Sequence, residues 1–135
     1  MIRHTVRALC AASLIVAPLA LSSPAQAVTC TVNGVPRSAT NLTGTAGSDF
    51  IRCASVPANH SVDGLGGSDY IVVDGLVGPM AAVRGNTGSD FIRVGGNAGV
   101  VDGGPGVDFC RVGAGNLPIN CEACRVAGPG AGTSN

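Results

Sequence analysis

The sequence predicts an all-β fold: a single β-solenoid of about four coils with parallel strands. Two observations carry that prediction. A hexad of the form Gly-x-x-Gly-x-Asp recurs four times, and each copy runs into a short strand-like segment with an aromatic residue first. A third observation removes the main competitor. Past the first 27 residues no segment sustains an apolar period of 3.6, so essentially no helix is expected.

The hexads are Gly44-Thr45-Ala46-Gly47-Ser48-Asp49, Gly64-Leu65-Gly66-Gly67-Ser68-Asp69, Gly85-Asn86-Thr87-Gly88-Ser89-Asp90 and Gly103-Gly104-Pro105-Gly106-Val107-Asp108. Their aspartates stand 20, 21 and 18 residues apart. Four copies at near-constant spacing point to a stacked repeat, whereas one copy would carry little weight.

The segments after the hexads are Phe50-Ile51-Arg52-Cys53, Tyr70-Ile71-Val72-Val73, Phe91-Ile92-Arg93-Val94 and Phe109-Cys110-Arg111-Val112. Side chains alternate faces along a strand. One face therefore takes Ile51, Ile71, Ile92 and Cys110 together with Cys53, Val73, Val94 and Val112. The other takes Phe50, Tyr70, Phe91 and Phe109 with Arg52, Val72, Arg93 and Arg111, so every aromatic residue of the chain occupies one repeat position. A second column, Leu42, Val62, Val83 and Val101, lies two residues before each hexad. Each coil then has two strands, the hexad turn, and a looser turn: Pro57 to Asn59, Asp74 to Pro79, Gly95 to Gly99. A single coil cannot bury its apolar face alone, so the coils must stack like on like.

The hexads carry the chemistry. Glycine at the first and fourth positions is expected to take positive φ and turn carbonyls inward. Aspartate at the sixth adds a charged, hard oxygen. Carbonyls plus carboxylates suit calcium, which takes six to eight oxygens, better than magnesium or a transition metal. The competing reading is a tight turn whose aspartate caps its own backbone. Stacking counts against it, because bare carboxylates about 4 Å apart repel by about 1 kcal/mol per pair even in water.

The hexad and its strand resemble the Gly-Gly-x-Gly-x-Asp nonapeptide of the hemolysin-type (RTX) calcium-binding repeats, over roughly Thr29 to Arg125. The chain is most similar to small exported actinobacterial members of that group, through Cys30, Cys53, Gly106 to Cys110 and Asn120-Cys121-Glu122. The resemblance implies a right-handed parallel β-roll with calcium ions between neighbouring turns. Carried over by position, Asp49, Asp69, Asp90 and Asp108 would supply the carboxylates. The turns around them would supply carbonyls: Gly44 and Gly47, Gly64, Gly66 and Gly67, Gly85 and Gly88, Gly103 and Gly106. Four turns make at most three sites. The second hexad position departs from the pattern at Thr45, Leu65 and Asn86.

The first 27 residues read as an export signal: Arg3, His4 and Arg7, an apolar run from Ala8 to Leu21, and Ala25-Gln26-Ala27 as a cleavage pattern. A secreted, extracellular domain of residues 28–126 and a disordered tail of 127–135 are expected to follow, with no membrane span in the mature form. Without the signal, six arginines face eight acids, which disfavours nucleic acid as a partner. Five cysteines remain, and export favours disulfides. Cys30 with Cys53 would close one end, and Cys110 with Cys121 or Cys124 the other.

An enzyme is not expected. His60 is the one histidine past the signal, and no nucleophile elbow accompanies it. The reading is a non-catalytic, calcium-stabilised structural or interaction module. The alternative is a metal-independent solenoid whose Phe50, Tyr70, Phe91, Phe109, Arg52, Arg93 and Arg111 face binds a glycan, a surface or a protein partner.

Overall fold

The computed structural model describes residues 26–126, and of the last strand only its backbone. The expected tail, and the expected signal apart from its last two residues, lie outside the described residues.

Eleven strands and no helix occur among the described residues. They are β1 (Val28–Val32), β2 (Val35–Ala39), β3 (Asn41–Thr43), β4 (Phe50–Cys53), β5 (Ser61–Asp63), β6 (Tyr70–Val77), β7 (Ala82–Arg84), β8 (Phe91–Asn97), β9 (Val100–Asp102), β10 (Phe109–Val112) and β11 (Ala123–Val126). Seven form one sheet in the order β11-β10-β8-β6-β4-β1-β2, and four form a second in the order β3-β5-β7-β9. Each hexad carries the chain from the smaller sheet to the larger, so the four hexads stack along one edge of a β-solenoid of about four turns.

The parallel registers are those that like-on-like stacking requires. Phe50, Tyr70, Phe91 and Phe109 are successive partners, as are Ile51, Ile71, Ile92 and Cys110. Leu42, Val62, Val83 and Val101 pair in the smaller sheet. All the expected inward residues are buried, most of them completely. At about 1.5–3 kcal/mol for each fully buried branched side chain, this double column is the main source of stability.

Three features differ from expectation. The looser turns are partly strand, because β6 and β8 run on through Leu76-Val77 and Gly96-Asn97 after an irregularity past Val73. Val56, Val77, Asn97 and Gly115 then bridge in parallel and make a third narrow wall. The N-terminal end is an antiparallel cap, with β1 pairing both β2 and β4. Asn33-Gly34 turns this hairpin with both φ angles positive, 51° and 80°, as a two-residue hairpin turn needs. Finally, β11 adds a further parallel rung beyond the fourth coil, Ala123-Cys124-Arg125-Val126 lying in register with Phe109-Cys110-Arg111-Val112.

Both ends are closed by disulfides. Cys30–Cys53 joins register partners of the antiparallel cap. Cys110–Cys121 ties the last full coil to the segment after it, which decides between the two partners expected for Cys110.

Candidate functional site

The four hexad aspartates form one buried column: Asp49, Asp69, Asp90 and Asp108 are 1–4% exposed. Three of the carboxylates are each tied to the coil before them. The Asp49 N–H donates to Asp69 Oδ1, the Asp69 N–H to Asp90 Oδ1 and the Asp90 N–H to Asp108 Oδ1, all at 2.8 Å. So these three aspartates cap a neighbouring coil rather than their own turn. An amide dipole sits between each charged pair and offsets part of their repulsion.

Two residues outside the hexads finish the column. Asn33 Nδ2 donates to Asp49 Oδ1 at 2.7 Å, while Asn33 Oδ1 accepts from the Phe50 N–H at 2.8 Å. At the other end the Asp108 N–H donates to Glu122 Oε2, and the Glu122 N–H returns to the Asp108 carbonyl. Glu122 thus fills the place of a fifth aspartate. Sequence reasoning assigned neither residue to the column. The available signal was Glu122 standing directly before Ala123-Cys124-Arg125-Val126, as each aspartate stands before its strand.

The glycines act differently from expectation at two positions. The first-position glycines do not take positive φ. They are required by contact. A Cβ on Gly64 would stand 2.3 Å from Asp69 Oδ2 and 2.9 Å from the Gly85 carbonyl oxygen, and one on Gly85 would stand 2.3 Å from Asp90 Oδ2 and 2.7 Å from the Gly103 oxygen. Positive φ falls instead on the second position in the later hexads, at Leu65, Asn86 and Gly104, and on Gly67, Gly88 and Gly106 at the fourth. In the first hexad neither Gly44 nor Gly47 takes positive φ, but a Cβ on Gly44 would stand 2.6 Å from Asp49 Oδ2 and 2.7 Å from the Gly64 carbonyl oxygen. Gly66 has ordinary φ as well.

These details separate the first turn from the rest. Thr45 offers both its N–H and its hydroxyl to Asp49 Oδ2. Leu65, Asn86 and Gly104 give Asp69, Asp90 and Asp108 no such bond. As a result, Oδ2 of Asp69, Asp90 and Asp108 is buried without a hydrogen-bond partner. The electrostatics follow. Burial pushes the Asp69 carboxyl up to about 6, with the Asp90 and Asp49 charges adding to it against the Asp49 N–H. Burial also raises Asp90 and Asp108. Burial acts on Asp49 too, but the Thr45 and Asn33 hydrogen bonds and the Arg37 charge outweigh it and hold that carboxyl below its ordinary value.

A cation at this column would be held in a particular way. Three orphaned carboxylate oxygens each lie near a backbone carbonyl of the next turn, that of Gly85, Gly103 or Asn120. That donor set is all oxygen, the chemistry of a hard ion. No three His, Cys, Asp or Glu side chains converge on one point among the described residues. Carbonyl oxygens would therefore have to supply most of the protein's ligands.

The aromatic column is also formed. Phe50, Tyr70, Phe91 and Phe109 stack with centroids 5.3, 4.7 and 5.1 Å apart and planes within 11° of parallel. Both faces of Tyr70 and of Phe91 are covered by neighbouring rings, so a flat ligand cannot stack on either. Arg52 pairs with Asp74 at 2.9 Å. His60 is buried against its own turn, with Nδ1 2.7 Å from the Ala58 carbonyl oxygen.

Fold and column together define a disulfide-capped β-solenoid with a buried aspartate ladder. The chain matches no protein-family model, no curated protein and no solved structure.

Proposed function

We propose that this chain is an exported, non-catalytic β-roll module of the RTX type that binds calcium along its hexad edge. The observation carrying this reading is the set of three orphaned oxygens, Oδ2 of Asp69, Asp90 and Asp108. Leaving a charged group's lone pairs buried and unmet costs at least about 1–3 kcal/mol each. A divalent ion removes that cost and supplies the countercharge. Asp69, Asp90 and Asp108 would hold the ions, with the Gly85, Gly103 and Asn120 carbonyls beside them. Asp49 stands outside this set, because Thr45 and Asn33 already occupy its oxygens. That gives at most three ions.

Calcium binding then becomes folding energy. Extracellular modules commonly bind calcium at about 10⁻⁴–10⁻³ M, so ambient calcium after export would stiffen the roll. Circular dichroism melts of the purified protein with millimolar calcium and with a chelator test this. A higher melting temperature in calcium, lost progressively in Asp69→Asn and Asp90→Asn, is expected. Identical melts for wild type in both buffers would refute it.

A further inference from the structure

The outer face of the larger sheet has a charge pattern that the calcium reading does not use. Stacking the four rings face to face turns their edges outward. An aromatic ring is negative on its face and positive at its edge. The exposed part of this ladder is therefore its electropositive part, and Phe50 and Tyr70 remain 46% and 40% exposed.

Beside the rings runs a column of arginines. Arg52, Val72, Arg93 and Arg111 are successive register partners, and the backbone of Arg125 continues the row. Four of the six arginines beyond residue 27 thus share one strand position. Arg52 is matched by Asp74. Arg93 and Arg111 are exposed, adjacent across the β8–β10 pair, and matched by no acid among the described residues. Like charges directly opposite each other in a sheet are destabilising. The smaller sheet differs: its corresponding column holds Asp63, Arg84 and Asp102, with Arg84 reaching Asp63 at 3.5 Å. Beyond residue 27 the chain has more acids than bases, yet four of its six arginines occupy one strand position of the larger sheet.

We propose that this aromatic-edge and arginine face binds a linear acidic polysaccharide, a chain with a carboxylate on each sugar, lying along the solenoid axis. Guanidinium groups pair with carboxylates through two parallel hydrogen bonds. Arg93 and Arg111 stand one strand apart, about 4.8 Å, with Val72 separating them from Arg52, and a pyranose unit in an extended chain is of similar length. The sugars lie across ring edges, not on ring faces, so the carboxylates carry recognition and a neutral glycan is rejected. An acidic peptide is disfavoured, because peptides are held by a groove or a free sheet edge and this is the middle of a sheet. A nucleic acid needs many more cationic contacts than this row provides.

The test is direct. Binding of the purified protein to polygalacturonate and to neutral dextran is measured by biolayer interferometry, in chelator so that calcium cannot bridge the polymer, and at a temperature where circular dichroism in the same buffer shows the β-structure intact. Wild type is expected to bind polygalacturonate, more weakly at high salt, and to ignore dextran. Arg93→Gln with Arg111→Gln is expected to weaken binding at least tenfold, while the melting temperature stays within a few degrees. Arg84→Gln on the opposite sheet is expected to change nothing. Equal binding to dextran, no binding to either polymer, an unaffected double variant, or tighter binding to polyglutamate or anionic vesicles would each overturn the proposal.

Discussion

Replacing Asp90 by asparagine separates the two jobs of the aspartate ladder. Asparagine keeps an Oδ1 to accept the Asp69 N–H, so the coil-to-coil bond of 2.8 Å survives. It replaces the orphaned Oδ2 with an amide that can donate to the nearby Gly103 carbonyl. It also removes a buried charge that bears on Asp69. Without calcium the variant should be more stable by about 1–2 kcal/mol, the worth of one satisfied buried group. That is a rise of about 4–8 °C per kcal/mol for a domain near this size. In about 10 mM calcium that advantage should be cancelled or reversed. A site with a dissociation constant of about 10⁻⁴–10⁻³ M is then filled to about 10–100 times that constant and contributes about 1.4–2.7 kcal/mol, which the variant forfeits. Asp49→Asn is the internal control. Both Asp49 oxygens already accept hydrogen bonds, so asparagine there loses Thr45's N–H and should melt lower in both buffers. Calorimetric melts in chelator and in millimolar calcium decide the matter. If Asp90→Asn melts below wild type in chelator, its Oδ2 is not an orphan and the reasoning fails.

Three more outcomes follow from the same geometry. Gly88→Ala would set a Cβ 1.8 Å from the Gly67 oxygen at φ +132°, and should cost more than about 4 kcal/mol or prevent folding, whereas Gly34→Ala, with open space at φ +80°, should cost about 1–2 kcal/mol in chemical denaturation. In chelator, stability should fall as pH rises from 4 to 7. The native Asp69 carboxyl holds its proton up to about pH 6 while the unfolded chain releases it near 3.8, and Asp90 and Asp108 shift in the same direction; Asp49, shifted down, adds stability that is lost only at more acid pH. A urea midpoint that climbs from pH 5 to pH 7 would contradict this. Peptide mapping without reduction should recover Cys30 linked to Cys53 and Cys110 linked to Cys121; a Cys110–Cys124 peptide as the main species would show that the C-terminal end closes differently.

The stacked architecture was legible because it is written in side-chain identity. Ile51, Ile71 and Ile92 occupy one register, and any slip would break three ladders together. The ends were less legible, because they depart from the repeat. Asn33-Gly34 is a hairpin signal, but β2 is almost wholly exposed and carries no apolar alternation to reveal it. The strand β11 was hidden because alanine replaces the aromatic residue and glutamate the aspartate. At the site, sequence reasoning found the aspartates and missed what glycine does beside them. Residue type alone cannot distinguish a glycine kept for its φ, such as Gly34, from one kept because Asp69 Oδ2 occupies the Cβ position, such as Gly64. The repulsion between stacked carboxylates was foreseeable. The amide placed between each pair was not, because it depends on the stagger of one coil over the next.

The central claim is that the hexad edge holds calcium. Isothermal titration of the purified, chelator-stripped protein with calcium at neutral pH tests it most directly. The account expects saturable binding of no more than three ions per chain, reduced by one in Asp90→Asn and unchanged in number in Asp49→Asn. No binding by the wild type up to about 10 mM calcium, well above the usual range for extracellular modules, would contradict it.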